Sequence, residues 1–374
     1  MFLCFNCGSS SIKFTLFDSK SLKEIVEGEI TQLNLPTSHV VLKQGKKTLF
    51  SKTRHYANKN QAIDEIFVLV KPFGKITKTG HRIVHGGLFF SKPVRVNRAL
   101  FKKMQGLEKL APLHMPLQLS VLKKVLQKEP KMKHIVIFDT GFFHAIPAFF
   151  KRLPMSKEVY KLGIQKFGFH GISYESVLHQ LKNPKDKMVV AHIGGGVSVT
   201  AIDKAKPVDT TMEFSPTSGV IMGTRSGSID PTVIFYLARE KKWPMEKIDH
   251  MLNFESGLLG LSEKSSDMVA LLKQKDKQTK EAVERFCLSI AHAIAKHVVT
   301  LGGIKRLVFT ASIGFYSDVI REKICHYLKC LGVELDAKKN KSNAPIVSSK
   351  KSKVIVQIVK TDENKIIAQH TKRL

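Results

Sequence analysis

Two arginines sit in glycine-rich settings far apart in the chain: Arg82 in GHRIVHGG (residues 80–87) and Arg225 in MGTRSGSIDP (residues 222–231). A structural surface arginine rarely needs so flexible a setting, whereas a planar guanidinium fork presented to a carboxylate or phosphate does. Two of them could neutralise a transferring phosphoryl group from opposite sides. NCGSSS (residues 6–11), with Lys13 just beyond, supplies backbone N–H groups, three hydroxyls and an amide over one short turn. Convergent donors of this kind hold oxygen-rich anions, although Gly-Ser turns also join plain hairpins. Gly194-Gly195-Gly196 repeats the theme with more glycine than a tight turn requires, so that backbone amides can approach a ligand closely. The Walker A pattern G-x-x-x-x-G-K-[ST] is absent.

Histidines recur beside these segments, His114 in LAPLHMP and His170 in FGFHG. Each taken alone also fits a loop histidine satisfied by local hydrogen bonds. Asp139 closes a buried apolar run, the end at which α/β sheets face their ligands. Cys4 and Cys7 have C-x-x-C spacing. In a strand, however, residues three apart point to opposite faces, and a redox pair would instead open a helix. The five cysteines are sparse, irregularly spaced and expected to be reduced. Apart from that pair, no zinc spacing occurs. A hard, oxygen-bound Mg²⁺ is the better metal, with Asn6, Asp139 and Glu363 as direct or water-mediated neighbours.

Positioning these residues takes two kinds of element. Residues 1–5 and 12–17 read as a hairpin around the polar turn, residues 40–42 and 48–50 as further antiparallel strands, and residues 61–70 as a helix. Strands then alternate with helices: 78–84 leads into His85-Gly86-Gly87, 99–110 and 116–127 are helical, and 134–138 ends at Asp139. A second series follows, with strands at 188–193, 197–202 and 306–310. The last ends at the loop Ala311-Ser312-Ile313-Gly314, and 280–301 is a long amphipathic helix. Residues 340–345 and 348–353 read as surface loops.

At 374 residues, 43% of them hydrophobic, the chain is comfortable for two domains and has no apolar run long enough to span a bilayer. It reads as soluble and cytoplasmic. The formal charge of +30 is the outlying number. Its lysines are spread along the whole length, without zinc-finger spacing, RNP-type aromatics or an arginine-rich arm. A solvated basic surface is therefore preferred to a nucleic-acid site.

Taken together, these motifs resemble the acetokinase family, which shares the fold of sugar kinases, heat-shock chaperones and actin. The resemblance covers nearly the whole chain: NCGSSSIKF (6–14), GHRIVHGG (80–87), LAPLH (110–114), FDT (138–140), FGFHG (167–171), MGTRSGSIDP (222–231) and SGLLGL (256–261). It implies an α/β protein of two actin-like (ribonuclease H-like) domains, residues 1–140 with 361–374 packing back on them and residues 141–360, with a nucleotide and substrate cleft between. It also implies a homodimer and reversible, direct in-line phosphoryl transfer between ATP and a short-chain carboxylate, acetate giving acetyl phosphate and ADP, with Mg²⁺ or in its place Mn²⁺. By position, Asn6 and Glu363 would serve the metal. Lys13, Ser9, Ser11, His192, Gly194, Gly195, Gly196, Ala311, Ser312, Ile313 and Gly314 would serve ATP. Asp139, Arg82, Arg225, His170 and His114 would carry the chemistry. Arg82, Val84, Leu113, Phe169 and Pro216 would bind the carboxylate and its alkyl end.

The sequence departs from the family pattern in four places. Gly195 stands where an Asn is usual, and ASIGFY (311–316) where GGIGEN is usual. GFFH (141–144) replaces AFHQ, and Met115 replaces the Asn after the loop histidine. The second change puts bulk beside the implied adenine site. Two alternatives stay open: a propionate or butyrate kinase, since one methylene in an apolar pocket discriminates by only about 1–3 kcal/mol, or a weakened family member that uses its basic surface to bind a polyanion.

Overall fold

A computed structural model describes residues 1–8, 10–33, 35–56 and 58–374. The chain divides into two compact units, Met1–His144 with Asp362–Leu374, and Ala145–Thr361. Each is built on one twisted sheet.

The first unit contains β1 (Phe2–Cys7), β2 (Ile12–Phe17), β3 (Glu24–Thr31), β4 (Ser38–Gln44), β5 (Lys47–Arg54), β6 (Lys78–Ile83), β7 (Val94–Arg95) and β8 (Lys133–Phe138). The second contains β9 (Met188–Ile193), β10 (Val197–Asp203), β11 (Lys206–Thr210), β12 (Arg306–Thr310) and β13 (Ile355–Ile358). The strand orders are β5-β4-β3-β2-β1-β6-β8-β7 and β11-β10-β9-β12-β13. The segment β3-β2-β1-β6-β8 thus repeats in the second sheet: an antiparallel meander continued by two parallel strands. Parallel strands need a crossover, and in such sheets ligands gather outside the carboxyl ends where chain direction diverges.

Alternation along β1 and β2 sorts their side chains. Leu3, Phe5, Cys7, Ile12, Phe14 and Leu16 enter one buried core with Ile63, Ile66, Leu117 and Val121, which come from the helices Lys59–Val70 and Met115–Lys128. The opposite face receives the helix Glu363–Arg373. That helix lies so close to β6 that a Cβ on Gly80 would meet Thr371 Oγ1 at 2.3 Å, so no larger residue fits there.

Cys4 lies 3.4 Å from the same Gly80 position, on the side of the C-terminal helix, while Cys7 lies in the opposite core. Burial pushes the Cys4 thiol well above its ordinary value and that of Cys7 up to about 12, so neither is a thiolate at neutral pH. Serine at Cys4 or alanine at Cys7 should leave turnover unchanged; a folded Cys7→Ala protein that has lost activity would restore a role for the pair.

Several expectations change. β3 was not apparent in the sequence, because its charged residues leave only Val26 and Ile30 buried. The expected helix over 99–110 is instead Arg98–Gln105, stopped at Gly106, followed by a separate 3₁₀ turn Glu108–Leu110. Residues 311–314 do not form a loop but open a short helix, Ala311–Tyr316. The expected surface loop at 340–345 begins with Asn340 buried at the end of the helix Ala337–Lys341. Among the described residues, no helix is long and apolar enough to cross a membrane.

Candidate active site

The first unit brings four of the candidate residues into one hydrogen-bonded chain. Arg82, near the end of β6, donates through Nε (3.0 Å) and Nη2 (2.5 Å) to the same oxygen, Asp139 Oδ2. Its Nη1 donates to Asn6 Oδ1 at 2.8 Å, and Asn6 Nδ2 in turn donates to Glu363 Oε2 at 2.8 Å. The parallel pairing of β1, β6 and β8 puts Asn6, Arg82 and Asp139 at the carboxyl ends of neighbouring strands. The first turn of the C-terminal helix delivers Glu363. Desolvation works against the Arg82 charge, but Asp139 and then Glu363 outweigh it and raise its pKa above the usual arginine value. The result is a permanent cation held rigidly at the strand ends.

Asp139 is fully buried, and its Oδ1 has no hydrogen-bond partner. A buried carboxylate oxygen left open in this way marks a place for a ligand, water or ion. No group of three or more His, Cys, Asp and Glu side chains able to hold a metal occurs among the described residues. The donors present are carboxylate oxygens on Asp139 and Glu363, which is the hard, sparse set that Mg²⁺ uses when phosphate and water oxygens complete its shell. Asn6 fits less directly as a ligand, because its amide oxygen is already taken by Arg82.

Lys13 pairs with Asn6 across the β1–β2 hairpin, yet its ammonium turns to Glu29 at 3.8 Å. Ser11 closes the β1–β2 turn, its carbonyl accepting from Gly8 N–H at 2.9 Å; Ser9 lies outside the described residues. His114 occupies the position just before the helix Met115–Lys128, without a side-chain capping bond. Val84 is buried just past β6, and Leu113 is half-buried.

The second unit assembles a second cluster. His170 stacks on His192 with ring centroids 4.1 Å apart and planes 14° apart. Ser198 on β10 bonds His170 Nδ1 at 2.9 Å, and Ser173 bonds His192 Nδ1 at 2.8 Å. His170 itself has φ +64°, a left-handed position that ends the FGFHG turn and starts the helix Gly171–Gln180.

Gly194–Gly196 joins β9 to β10, and a Cβ on Gly196 would sit 3.3 Å from both Arg225 Nη1 and His170 Nε2. The glycine turn also holds the arginine loop, since Gly195 carbonyl accepts from Gly223 N–H at 3.2 Å. Ser256 N–H to Thr224 carbonyl (3.0 Å) and Leu258 N–H to Met222 carbonyl (2.9 Å) clasp the loop from the SGLLGL segment. Arg225 Nη1 donates to Pro216 carbonyl at 3.2 Å, and burial lowers its pKa from the ordinary arginine value. Phe169 is wholly buried beside His170.

Of the departures noted above, Gly195 faces open space, with nothing within 4 Å of a Cβ built there. Ala311 has φ +64°, where an L-residue costs about 1–2 kcal/mol relative to glycine. Ser312 and Ala311 approach the Gly194 position at 3.5 and 3.7 Å, so this segment and the glycine turn form one surface. Arg321, fully buried, fixes the far end of the segment by donating to the carbonyls of Gly314 (3.0 Å) and Phe315 (2.7 Å).

Ser173 and Ser198, which orient the two stacked histidines, were not singled out from the sequence. They lie in an ordinary helix and an ordinary strand, and no motif marks them.

The acetokinase family profile matches residues 1–369. An acetate kinase of Rickettsia typhi is 37% identical over 358 residues, covering 92% of this chain and 91% of that protein. Among solved structures, a propionate kinase of Francisella tularensis superposes with TM-score 0.93 at 32% identity, covering 100% of this chain and 99% of the other. The acetate kinase of Entamoeba histolytica superposes with TM-score 0.89 at 32% identity, with 100% and 99% coverage. The two-sheet α/β architecture is the two-domain actin-like fold of these relatives. With the profile and these relatives each spanning nearly its whole length, the chain belongs to the acetokinase family.

Proposed function

We propose that the protein is an acetate kinase, transferring the γ-phosphoryl group of ATP to acetate and, in reverse, making ATP from acetyl phosphate and ADP. The observation that carries this reading is the Arg82–Asp139 pair with Asn6 and Glu363 at the strand ends, a fixed cation beside an open carboxylate oxygen.

Acetate is ionised at neutral pH and needs no base to attack phosphorus. Its oxygen forms a bond to the γ-phosphorus as the bond to ADP breaks, and no proton has to move. What remains for the protein is positioning and charge neutralisation. Arg82, held by Asp139, binds the acetate carboxylate. Arg225, held by the glycine turn, and the imidazoles of His114 and His170 donate to the equatorial oxygens of the phosphoryl group. Glu363 and the open Oδ1 of Asp139 would hold Mg²⁺, or Mn²⁺ in its place, and the ion supplies positive charge against the phosphate oxygens. His192, the Gly194–Gly196 turn and Ala311–Gly314 bind the nucleotide, with Ser9, Ser11 and Lys13 on the phosphate side. Val84 and Leu113 in the first unit, and Phe169 and Pro216 in the second, are the apolar residues assigned to the methyl group.

The similarity to a propionate kinase favours a second reading, in which propionate is the better acid. Trapping the acyl phosphate as hydroxamate, with kcat/KM measured for acetate, propionate and butyrate against ATP and GTP, separates the two. Acyl phosphate from none of the acids would overturn both.

The helix Thr232–Arg239 supports a homodimer. It has no buried residue, and Val233, Phe235 and Tyr236 are 43%, 54% and 52% exposed, with Ile229 beside them. Such a patch is what a second copy covers. Aspartate at both Phe235 and Tyr236 should convert a dimer to monomer in light scattering; wild-type protein that is already monomeric at micromolar concentration would rule this surface out as a stable interface.

A further inference from the structure

Gln118 is 2% exposed and belongs to no family motif that the sequence offered, yet its side-chain amide touches the ends of two strands that carry candidate site residues. Its Oε1 accepts from Val84 N–H at 2.9 Å, and its Nε2 donates to Cys7 carbonyl at 2.9 Å. β1 and β6 are paired in parallel from Phe2↔Lys78 to Phe5↔His81, and there the ladder stops. Past that point the amide stands between the Cys7 carbonyl at the end of β1 and the Val84 N–H just past β6, each bonded by Gln118 instead of by the neighbouring strand. The sheet is thereby wedged open at its carboxyl edge without leaving either backbone group orphaned.

Asn6 directly precedes Cys7, and Arg82 lies two residues before Val84. Gln118 also lies one helical turn after His114, its N–H bonding the His114 carbonyl at 3.3 Å, so both residues lie on one face of the helix. One buried amide therefore connects the three elements that bear Asn6, Arg82 and His114.

We propose that Gln118 is a positioning residue that sets the relative placement of Asn6, Arg82 and His114, and so the carboxylate-binding half of the site. This rests on the phosphotransferase reading given above. Methionine at this position keeps the length and loses both bonds; asparagine is one methylene shorter and keeps an amide.

In Gln118→Met, kcat should fall about 10- to 100-fold and the KM for acetate should rise, the penalty expected when reacting groups shift by about 1 Å. The KM for ATP should stay within about twofold, because the nucleotide groups named above lie mainly in the other unit. Gln118→Asn should recover part of the loss. Hydrogen exchange reads the geometry without activity: the peptide containing Val84 should lose protection in Gln118→Met and regain some in Gln118→Asn.

Wild-type protein assayed in parallel separates the two ideas. No acyl phosphate from wild type overturns the phosphotransferase reading, and the exchange data then judge the wedge alone. An active wild type with Gln118→Met unchanged in kcat and acetate KM overturns the positioning role. So does an equal rise in both KM values that asparagine does not relieve, since that pattern is general loosening. If Gln118→Met does not fold, Gln118→Asn decides: unchanged acetate KM and unchanged Val84 protection overturn the proposal.

Discussion

Alanine at Arg82 or at Arg225 is expected to lower kcat by about a thousandfold or more, the range seen when a transition-state arginine is removed from phosphoryl transfer. The two variants should differ in stability, and the structure says why. Arg82 provides both hydrogen bonds to Asp139 Oδ2, and Asp139 is fully buried. Removing the guanidinium leaves a buried carboxylate uncompensated, a loss of about 3–5 kcal/mol in comparable sites. Arg225 donates to the Pro216 carbonyl, an uncharged acceptor, so its alanine variant should lose less stability than that of Arg82. Lysine at Arg82 should not rescue, because a point charge cannot supply the three-way fork to Asp139 and Asn6. Turnover within about tenfold of wild type in either alanine variant, measured by hydroxamate formation, would remove that arginine from the mechanism. Thermal melts by circular dichroism test the predicted difference in stability.

Acid should destabilise the protein steeply, beginning below about pH 6.5. His85 and His297 are fully buried, and burial lowers the pKa of each to about 4. Burial also lowers the pKa of His81 and of His134. The last two share the hydroxyl of Thr79, at 2.8 and 2.7 Å; with His134 Nε2 donating to the Glu129 carbonyl at 2.9 Å, the hydroxyl donates to the Nδ1 of neutral His134 and accepts from His81.

A histidine whose folded pKa lies below its unfolded value stays neutral in the native state while the unfolded chain takes up the proton. Its contribution is therefore intact above about 6.5 and is lost as pH falls towards 4. His85 and His297 alone represent about 3 kcal/mol each over that window. Around His297 the facing charges are Asp209, Lys296 and Lys166; Asp209 favours protonation and only partly offsets burial. Asp209 is itself lowered despite its own burial, chiefly by Lys166, and so loses stability in the same direction at still lower pH. Urea unfolding at about pH 7.5, 6.5 and 5.5 should show stability flat in the first interval and falling in the second. Glutamine at His297 should reduce the fall between pH 6.5 and 5.5 by about 1 kcal/mol, since the unfolded imidazole is only half protonated at the start of that interval. Equal stability at all three values would contradict the assignment.

Much of the fold was legible because periodicity is a local property. Residues 1–5 and 12–17 alternate or run apolar around a small polar turn, and they form the hairpin of β1 and β2. The apolar spacing over 280–301 lies on the helix Lys277–Leu301. Where burial is set by distant partners, the local pattern failed. Glu24–Thr31 pairs between two strands yet has mostly half-exposed or exposed residues, so its composition looks like a loop. Residues 311–314 look like a small-residue loop, but they open a helix whose Gly314 and Phe315 carbonyls are held by Arg321, whose remaining bonds reach Asn340 and Asn343.

The sequence by itself determined which chemistry this chain carries. Arg82, Arg225, Asp139, His114 and His170 stand in motifs whose residue types and order specify the acetokinase family, because the groups suited to a phosphoryl anion are few and their spacing is set by strand-end loops. Only the tertiary structure decided how those groups are held. It chose Asp139 Oδ2 and Asn6 as the two restraints on Arg82, left Asp139 Oδ1 open, set Ser198 behind His170, and used Gln118 to part β1 from β6. Hydrogen-bond partners are chosen in space, here between residues as far apart as Asn6 and Glu363, and no local pattern along a chain records that choice.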